Sequence, residues 1–328
     1  MQSIKRNEYA FATLAGGQGT RLGHSGPKGT YYLELSHPKS LFEIMCDSLK
    51  DAYNKYGVYI PWYILTSEDN HEDTVNFFES NGYFDYPKDH ITFFKQGMLP
   101  MALEDGKIIL ESKGKIKFAS DGHGGIFEAM FKNNIIEKMK KEGTKWCFIG
   151  AIDNVLLKMV DPLFLGLAIS KNVNVASKSI IKSYPEEKVG VFAKRNGRPS
   201  VIEYTELPEN LRYLCDDVGE LVYKDAHILC NLFSIDALEA LEKLRLNYHF
   251  AYKKSAYIDS MGVEHFPTLP NAYKFEMFMF DAFSFFNDML IFRTVREEEF
   301  APIKNAKDID CPETAIKLYV KKNKIERN

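Results

Sequence analysis

Cysteine is scarce in this chain and poorly placed for metal or disulfide work. Five occur among 328 residues (Cys46, Cys147, Cys215, Cys230 and Cys311), and none stands in a CxxC or Cys/His spacing. That spread excludes a sequence-readable zinc site and a disulfide framework, and it fits a reducing compartment. Long hydrophobic runs are also missing: none reaches the roughly 18 residues of a membrane span. The segment Tyr9–Ala15 runs directly into a glycine loop, so no signal-peptide core precedes it. A cytoplasmic protein with no membrane partner is expected. The formal net charge is −3, without the basic excess that nucleic-acid binding requires, so any phosphate bound is small and held locally. Internal repeats and low-complexity stretches do not occur.

Two phosphate motifs are absent where one would look for them. The glycine loop Leu14-Ala15-Gly16-Gly17-Gln18-Gly19-Thr20-Arg21-Leu22-Gly23 contains no GxxxxGK[ST], and the third glycine of a dinucleotide fingerprint would fall at residue 22, which is Leu. A P-loop NTPase and an NAD enzyme are both disfavoured.

What is present is an ordinary globular composition, 45% hydrophobic and 27% charged, with 24 Phe and 18 Tyr spread along the chain. Length and composition allow one large α/β domain. The first half alternates short apolar runs with helical patterns, which predicts βα units and a largely parallel sheet. Strands are predicted at Tyr9–Ala15, Val58–Thr66, Ile91–Phe94 and Lys145–Ile152. Helical spacing runs over Lys39–Tyr53 and again from Gly125, and Thr66-Ser67-Glu68-Asp69 reads as a helix N-cap. The second half is more antiparallel, with strands at Val173–Ser179, Val189–Lys194, Pro199–Tyr204 and His227–Phe233 and a hairpin turn at Gly197. Phe275–Phe292 reads as an amphipathic core helix.

A strand that ends in a glycine-rich turn exposes backbone N–H groups to an anion. Gly16, Gly17 and Gly19 let backbone approach phosphate without Cβ clashes. Arg21 adds a bidentate fork, and Lys28, in Pro27-Lys28-Gly29, adds a point charge. Asp153 follows an apolar strand at the carboxyl end, where open α/β sheets bind ligands; it suits Mg²⁺, or else caps a helix. Glu203 in its strand can accept from two hydroxyls, or face solvent. Alone, Gln96, Lys274 and Lys304 would be unremarkable surface residues.

The loop followed by Pro27-Lys28-Gly29 resembles the eukaryotic-type UDP-N-acetylhexosamine pyrophosphorylases, of the UDPGP type 1 family. The resemblance continues through Trp62-Tyr63-Ile64-Leu65-Thr66-Ser67-Glu68, Asp121-Gly122-His123-Gly124-Gly125 and Ile152-Asp153-Asn154. It goes on through Tyr184-Pro185-Glu186-Glu187-Lys188-Val189-Gly190-Val191 and Ile202-Glu203-Tyr204-Thr205-Glu206, and ends with Arg296–Ala306. It implies a Rossmann-like, GT-A-like α/β fold with a mixed sheet and a more antiparallel sugar-binding half. Residues 1–328 would form one nucleotidyltransferase domain: a nucleotide half over 1–160, a sugar half over 161–306, and a short tail over 307–328.

The activity implied is uridylyl transfer from UTP to N-acetylglucosamine 1-phosphate, assisted by Mg²⁺ on Asp153, in a monomer. The resemblance implies nucleotide contacts from Leu14, Ala15, Gly16, Gly17, Gln96, Gly122, Asp153 and Lys274. It implies catalytic charges at Arg21, Lys28 and Lys304. On the sugar side it implies His123, Gly190, Glu203, Tyr204 and His227. A UDP-glucose pyrophosphorylase is the neighbouring reading. A non-catalytic sugar-nucleotide binder would have lost Arg21, Lys28, Asp153 or Lys304, and all four are present.

This sequence departs from the family pattern at two sugar-side positions. His123 stands where the usual Asp-Gly-Asn-Gly-Gly has Asn, and the ungapped alignment puts His227 where a second Asn is usual. Either the pair is tolerated, or it alters sugar preference or makes activity fall as it protonates below about pH 6.5. Family members also carry a segment before the loop and more chain after the Lys304 motif. Here the loop starts at residue 14 and 24 residues follow Lys304, so the peripheral N- and C-terminal domains are expected to be largely absent.

Overall fold

Apolar alternation and buried runs assemble into one nine-stranded mixed sheet in the computed structural model, which describes residues 1–259 and 261–323. In chain order its strands are β1 (Tyr9–Leu14), β2 (Trp62–Thr66), β3 (Ile91–Lys95), β4 (Trp146–Ala151), β5 (Val175–Ile181), β6 (Val191–Arg195), β7 (Arg198–Ile202), β8 (Asp225–Ser234) and β9 (Leu290–Arg293). The order across the sheet is β7-β6-β8-β4-β1-β2-β3, with β5 pairing both β8 and β9. Strands β4, β1, β2 and β3 run parallel. From β4 onward the pairing to β8, β5, β6 and β7 is antiparallel. Strand β4 is therefore the seam between the parallel half and the more antiparallel half expected from the sequence, in which β9 runs parallel to β5.

The parallel half is buried on both faces. In β1 and β2 every residue is buried except Leu14, which is half-buried, as two-sided coverage by helices requires. Helix α1 (Leu41–Tyr56) begins with a serine N-cap: Ser40 Oγ accepts from Glu43 N at 3.1 Å, and Gly57 ends the helix at φ 75°. It buries Leu41, Phe42, Met45 and Leu49 against the sheet. Helix α2 is His71–Ser80, and the pattern from Gly125 splits at Asn133 and Asn134 into α3 (Ile126–Lys132) and α4 (Ile135–Lys141). The predicted hairpin is present: Asn196 and Gly197 take φ 53° and 78° between β6 and β7, the left-handed pair of a type I′ turn.

Two sequence expectations are corrected. Phe275–Phe292 is not one helix. It is a strand (Ala272–Glu276), a 3₁₀ segment (Met279–Phe285) and then β9. Its aromatics turn inward onto two different surfaces, since Phe280 and Phe283 are buried beneath the sheet while Phe292 stacks on Phe164. A single helical face cannot serve both. Thr66–Asp69 does not cap α2 either. Asn70 occupies the cap position and its side chain is committed elsewhere, as described below. No helix among the described residues is long and apolar enough to cross a membrane.

Candidate functional site

The glycine loop leaves β1 at Leu14 and folds back on itself. Gly19 N donates to Gly26 O at 2.9 Å, and Lys28 N donates to Gly17 O at 3.0 Å, so Lys28 returns to where the loop began. Asn70 holds the loop from below. Its amide donates to Ala15 O at 2.9 Å and Gly17 O at 3.3 Å, while its Oδ1 accepts from Ser67 N at 2.8 Å. Asn70 is fully buried, so these bonds are what satisfy it. Gln96 follows β3 and lies against the same loop. A Cβ added at Gly16 would stand 2.8 Å from Gln96 Oε1, so only glycine allows that approach.

Asp153 follows β4, the strand beside β1. Its Oδ2 lies 3.2 Å from Lys28 Nζ, and both side chains are largely buried. Burial pushes the Asp153 carboxyl upward, but the neighbouring Lys28 and Lys304 more than offset it, leaving the group below its ordinary range. Lys304 is brought here by a backbone clamp. Ile303 N donates to Asp153 O at 2.9 Å. Asn154 donates through Nδ2 to Glu299 O at 2.7 Å and accepts on Oδ1 from Ala301 N at 2.9 Å. Behind this clamp, Lys178 is fully buried between Asp161 at 2.7 Å and Glu299.

Next to this pair is a cavity lined by Asp153, Lys304, His123, Gly190, Glu203 and His227, together with Asn154, Lys188, Leu229, Phe280 and Phe300. Gly190 O accepts from His227 N at 2.8 Å. Burial raises the Glu203 carboxyl, while an N–H bond from Tyr204 partly opposes the shift. His227 owes its orientation to an irregularity in β8. Between Ser177↔Asn231 and Ser179↔His227, β8 uses four residues where β5 uses two, and Leu229 takes φ 51°. In a regular strand, residues four apart are about 13 Å apart. The bulge brings His227 Nε2 to 3.0 Å from Asn231 Oδ1.

His123 opens the 3₁₀ turn His123–Gly125 that leads into α3. Its Nδ1 accepts from Met279 N at 3.0 Å, and its ring stacks on Phe278, whose ring also stacks on His249. Burial is the main cause that pushes His123 down to about 3 and His227 down to about 4. Protonation of the pair therefore falls well below pH 6.5 and not near it.

Several expected residues lie outside this cavity. Tyr204 is 37% exposed, and its backbone N–H bonds Glu203. Lys274 Nζ is held by Glu276 Oε1 at 2.7 Å and Ser120 Oγ at 3.1 Å. Arg21 is exposed on the loop. Gly122, at φ 85°, packs where a Cβ would stand 2.5 Å from Met277 O.

Other residues were missed by sequence reasoning. Asn154 directly follows Asp153, and Lys188 precedes Gly190, yet neither position advertises a role locally. Asp121 is 3% exposed, with Oδ1 unpartnered among the described residues. Burial raises it to about 7. Gly97 and Gly125 flank it so closely that a Cβ on either would come within 2.3 Å of its oxygens.

A sequence model of the family described as UTP–glucose-1-phosphate uridylyltransferase matches residues 3–326. The chain is 39% identical over 323 residues to UDP-N-acetylhexosamine pyrophosphorylase-like protein 1 of Xenopus tropicalis, covering 95% of this chain and 63% of that protein. It is 38% identical over 343 residues to UDP-N-acetylglucosamine diphosphorylase 2 of Arabidopsis thaliana, covering 98% and 66%. The chain thus spans about two thirds of the length of these curated relatives. The crystal structure of the uridine diphosphate N-acetylglucosamine pyrophosphorylase from Trypanosoma brucei in complex with inhibitor superposes with a TM-score of 0.85. Identity there is 33%, over 97% of this chain and 66% of that one.

Proposed function

The chain belongs to the UTP–glucose-1-phosphate uridylyltransferase family, and on that premise we propose that it transfers the uridylyl group of UTP to N-acetylglucosamine 1-phosphate. A phosphate oxygen of the sugar 1-phosphate attacks the α-phosphorus of UTP. The bond from that phosphorus to the bridging oxygen breaks, and diphosphate leaves with UDP-N-acetylglucosamine formed. The nucleophile is already anionic, so the reaction needs positioning and charge neutralisation more than a base.

The observation that carries this reading is the convergence of Lys28, Asp153 and Lys304 at the carboxyl ends of β1 and β4, beside a cavity that also holds Glu203, Gly190, His123 and His227. In this reading Leu14–Gly17 and Gly122 hold the nucleotide through backbone groups, and Gln96 reads the uracil edge with its amide. Lys28 and Arg21 neutralise the departing phosphates, and Lys304 neutralises the reacting centre. Glu203 accepts from sugar hydroxyls. Lys274 and Tyr204, outside the cavity walls, would reach substrate only after side-chain movement. Residues 1–160 then serve UTP and residues 161–306 the sugar, within one domain.

Asp153 would hold Mg²⁺. The donor fits: Asp153 offers a single ionised carboxylate beside Lys28 and Lys304, and Mg²⁺ is commonly satisfied by one or two carboxylates with phosphate and water oxygens. When bound there it would neutralise charge on the phosphate oxygens. The five thiols are all unpaired, which suits a cytoplasmic setting. The reading extends to a monomer with small-molecule partners, neither nucleic acid nor membrane being needed.

The test is Mg²⁺-dependent diphosphate release from UTP with the 1-phosphates of N-acetylglucosamine, N-acetylgalactosamine and glucose in parallel. Release with N-acetylglucosamine 1-phosphate is expected to dominate. A preference for glucose 1-phosphate, which the family description names, would replace the sugar assignment. No release with any sugar would sink the enzyme reading.

A further inference from the structure

We propose that His123 and His227 form a polarity-locked pair in the sugar half of the cavity, one presenting a fixed donor and the other a fixed acceptor, which selects a neutral sugar substituent that both donates and accepts. The inference rests on the uridylyltransferase reading and names the chemistry of its sugar contact.

Each lock comes from a neighbour with no freedom to reverse. Met279 N is a backbone donor, so the His123 Nδ1 that it meets at 3.0 Å must be the unprotonated nitrogen. The His123 proton therefore sits on Nε2. For His227 the argument runs through Asn231. The Asn231 Nδ2 group lies 3.1 Å from Met279 Sδ, a thioether that can only accept, which fixes the amide's orientation. Its Oδ1 is then the atom facing Ser177 Oγ at 2.7 Å and His227 Nε2 at 3.0 Å. His227 Nε2 must donate, so its Nδ1 carries the lone pair.

Both imidazoles are thus Nε2–H tautomers with opposite assignments. His123 spends its acceptor inside the protein, and His227 spends its donor. Neither His123 Nε2 nor His227 Nδ1 has a protein partner among the described residues, and neither is among the sealed, unpartnered polar atoms. Both residues line the cavity. Their rings lie 5.7 and 5.6 Å from the ring of Phe280, centroid to centroid, so they flank one aromatic. Phe278 stacked on His123 and Phe283 edge-on to His227 hold the ring planes.

An asparagine pair could turn its amides over and present either polarity. The locked imidazoles cannot. A hydroxyl satisfies both, accepting from His123 Nε2–H and donating to His227 Nδ1. A secondary amide does the same with its carbonyl and N–H. A hydrogen or fluorine substituent cannot, and leaves at least one nitrogen unmatched.

The test has two arms. Monodeoxy and monofluoro sugar 1-phosphates, altered in turn at each ring position, are compared by kcat/KM in the unmodified protein and in His123→Ala and His227→Ala. One position is expected to lose about 10- to 100-fold in the unmodified protein, the size of one or two good hydrogen bonds, and the penalty at that position alone should shrink in both variants. Sensitivity at the position bearing the acetamido group identifies an amide as the occupant, and sensitivity elsewhere identifies a hydroxyl. Equal penalties in all three proteins would overturn the pair.

The second arm needs no folded variant. Long-range ¹H–¹⁵N spectra of the unmodified protein should show both rings as Nε2–H tautomers, with His123 Nε2 and His227 Nδ1 shifting when N-acetylglucosamine 1-phosphate is added. A protonated Nδ1 on either ring would overturn the lock. Absence of diphosphate release with every sugar, alongside the expected tautomers, would instead remove the uridylyltransferase reading.

Discussion

Lys28 Nζ stands 3.2 Å from Asp153 Oδ2, joining the loop after β1 to the carboxylate after β4 across 125 positions of sequence. Neither group is in its place by local preference. Lys28 is 9% exposed, and a lysine so buried is normally found paired. The pair thus couples the geometry of the loop to that of the carboxylate.

Lys28→Ala should lower turnover by about 100- to 1,000-fold, the range seen on removing one preorganised charge or donor, while circular dichroism shows a folded chain. Asp153 would then face burial with Lys304 as its remaining cation. Its carboxyl should rise, moving the acid limb of the pH–rate profile to higher pH. The sign follows from the depressed folded value. The stabilisation is present above the ordinary carboxylate range and is lost as pH falls through the folded value. Unchanged turnover would remove Lys28 from the site.

Gly16→Ala should leave stability nearly unchanged, because the obstacle 2.8 Å away is the end of the flexible Gln96 side chain. The displaced amide is expected to raise the KM for UTP by about tenfold, and Gln96→Ala should raise it comparably. These magnitudes correspond to one lost hydrogen bond. A normal KM in both variants would show that Gln96 does not read the nucleotide.

Asn154→Ala removes three buried bonds, one to Glu299 O and two from Ala301 N and Leu156 N, at a cost of about 1–3 kcal/mol. Urea denaturation should register that loss. Because the same bonds carry the segment with Lys304, kcat should fall more than the KM for UTP rises. Asn154→Asp should not rescue it, since a carboxylate would face the Glu299 carbonyl. A loss of stability with kcat intact would limit Asn154 to a structural role.

The imidazole pair makes a prediction about stability rather than rate. An unfolded histidine takes up a proton near pH 6.5, whereas burial holds His123 down to about 3 and His227 down to about 4. The unfolded chain therefore binds more protons between those limits, and stability falls as pH drops through them. The slope is at most about 1.4 kcal/mol per pH unit for each ring. Urea midpoints measured from about pH 7 down to about pH 4.5 should decline less steeply in His123→Asn/His227→Asn. Parallel curves would mean that the two rings titrate as ordinary histidines.

The glycine loop, its flanking strand, Asp153 at a strand's carboxyl end and the Asn196-Gly197 turn were legible because each rests on local chemistry: glycine where backbone must approach, apolar runs, and a left-handed turn. Asn70, Asn154 and Asn231 were not. Each is bonded to a backbone group or a thioether brought from 48 to 147 positions away, and no local spacing carries that information. The Phe-rich segment failed for a related reason. Its aromatics serve two surfaces, one beneath the sheet and one against Phe164, and periodicity cannot report a segment that changes partner midway. The β8 bulge hid the His227–Asn231 contact, because the rise along a regular strand would hold residues four apart about 13 Å from one another.

Strand β4 is bonded to β1 on one side and β8 on the other, and adjacent strands lie about 4.8 Å apart. The loop after β1, the carboxylate after β4 and the imidazole in β8 therefore occupy successive rungs of one rigid ruler. A chimera designed to accept a different sugar should carry β8 and its bulge together with β4, cutting in the loops on either side; a splice between the two strands would strip the ladder that sets the measure.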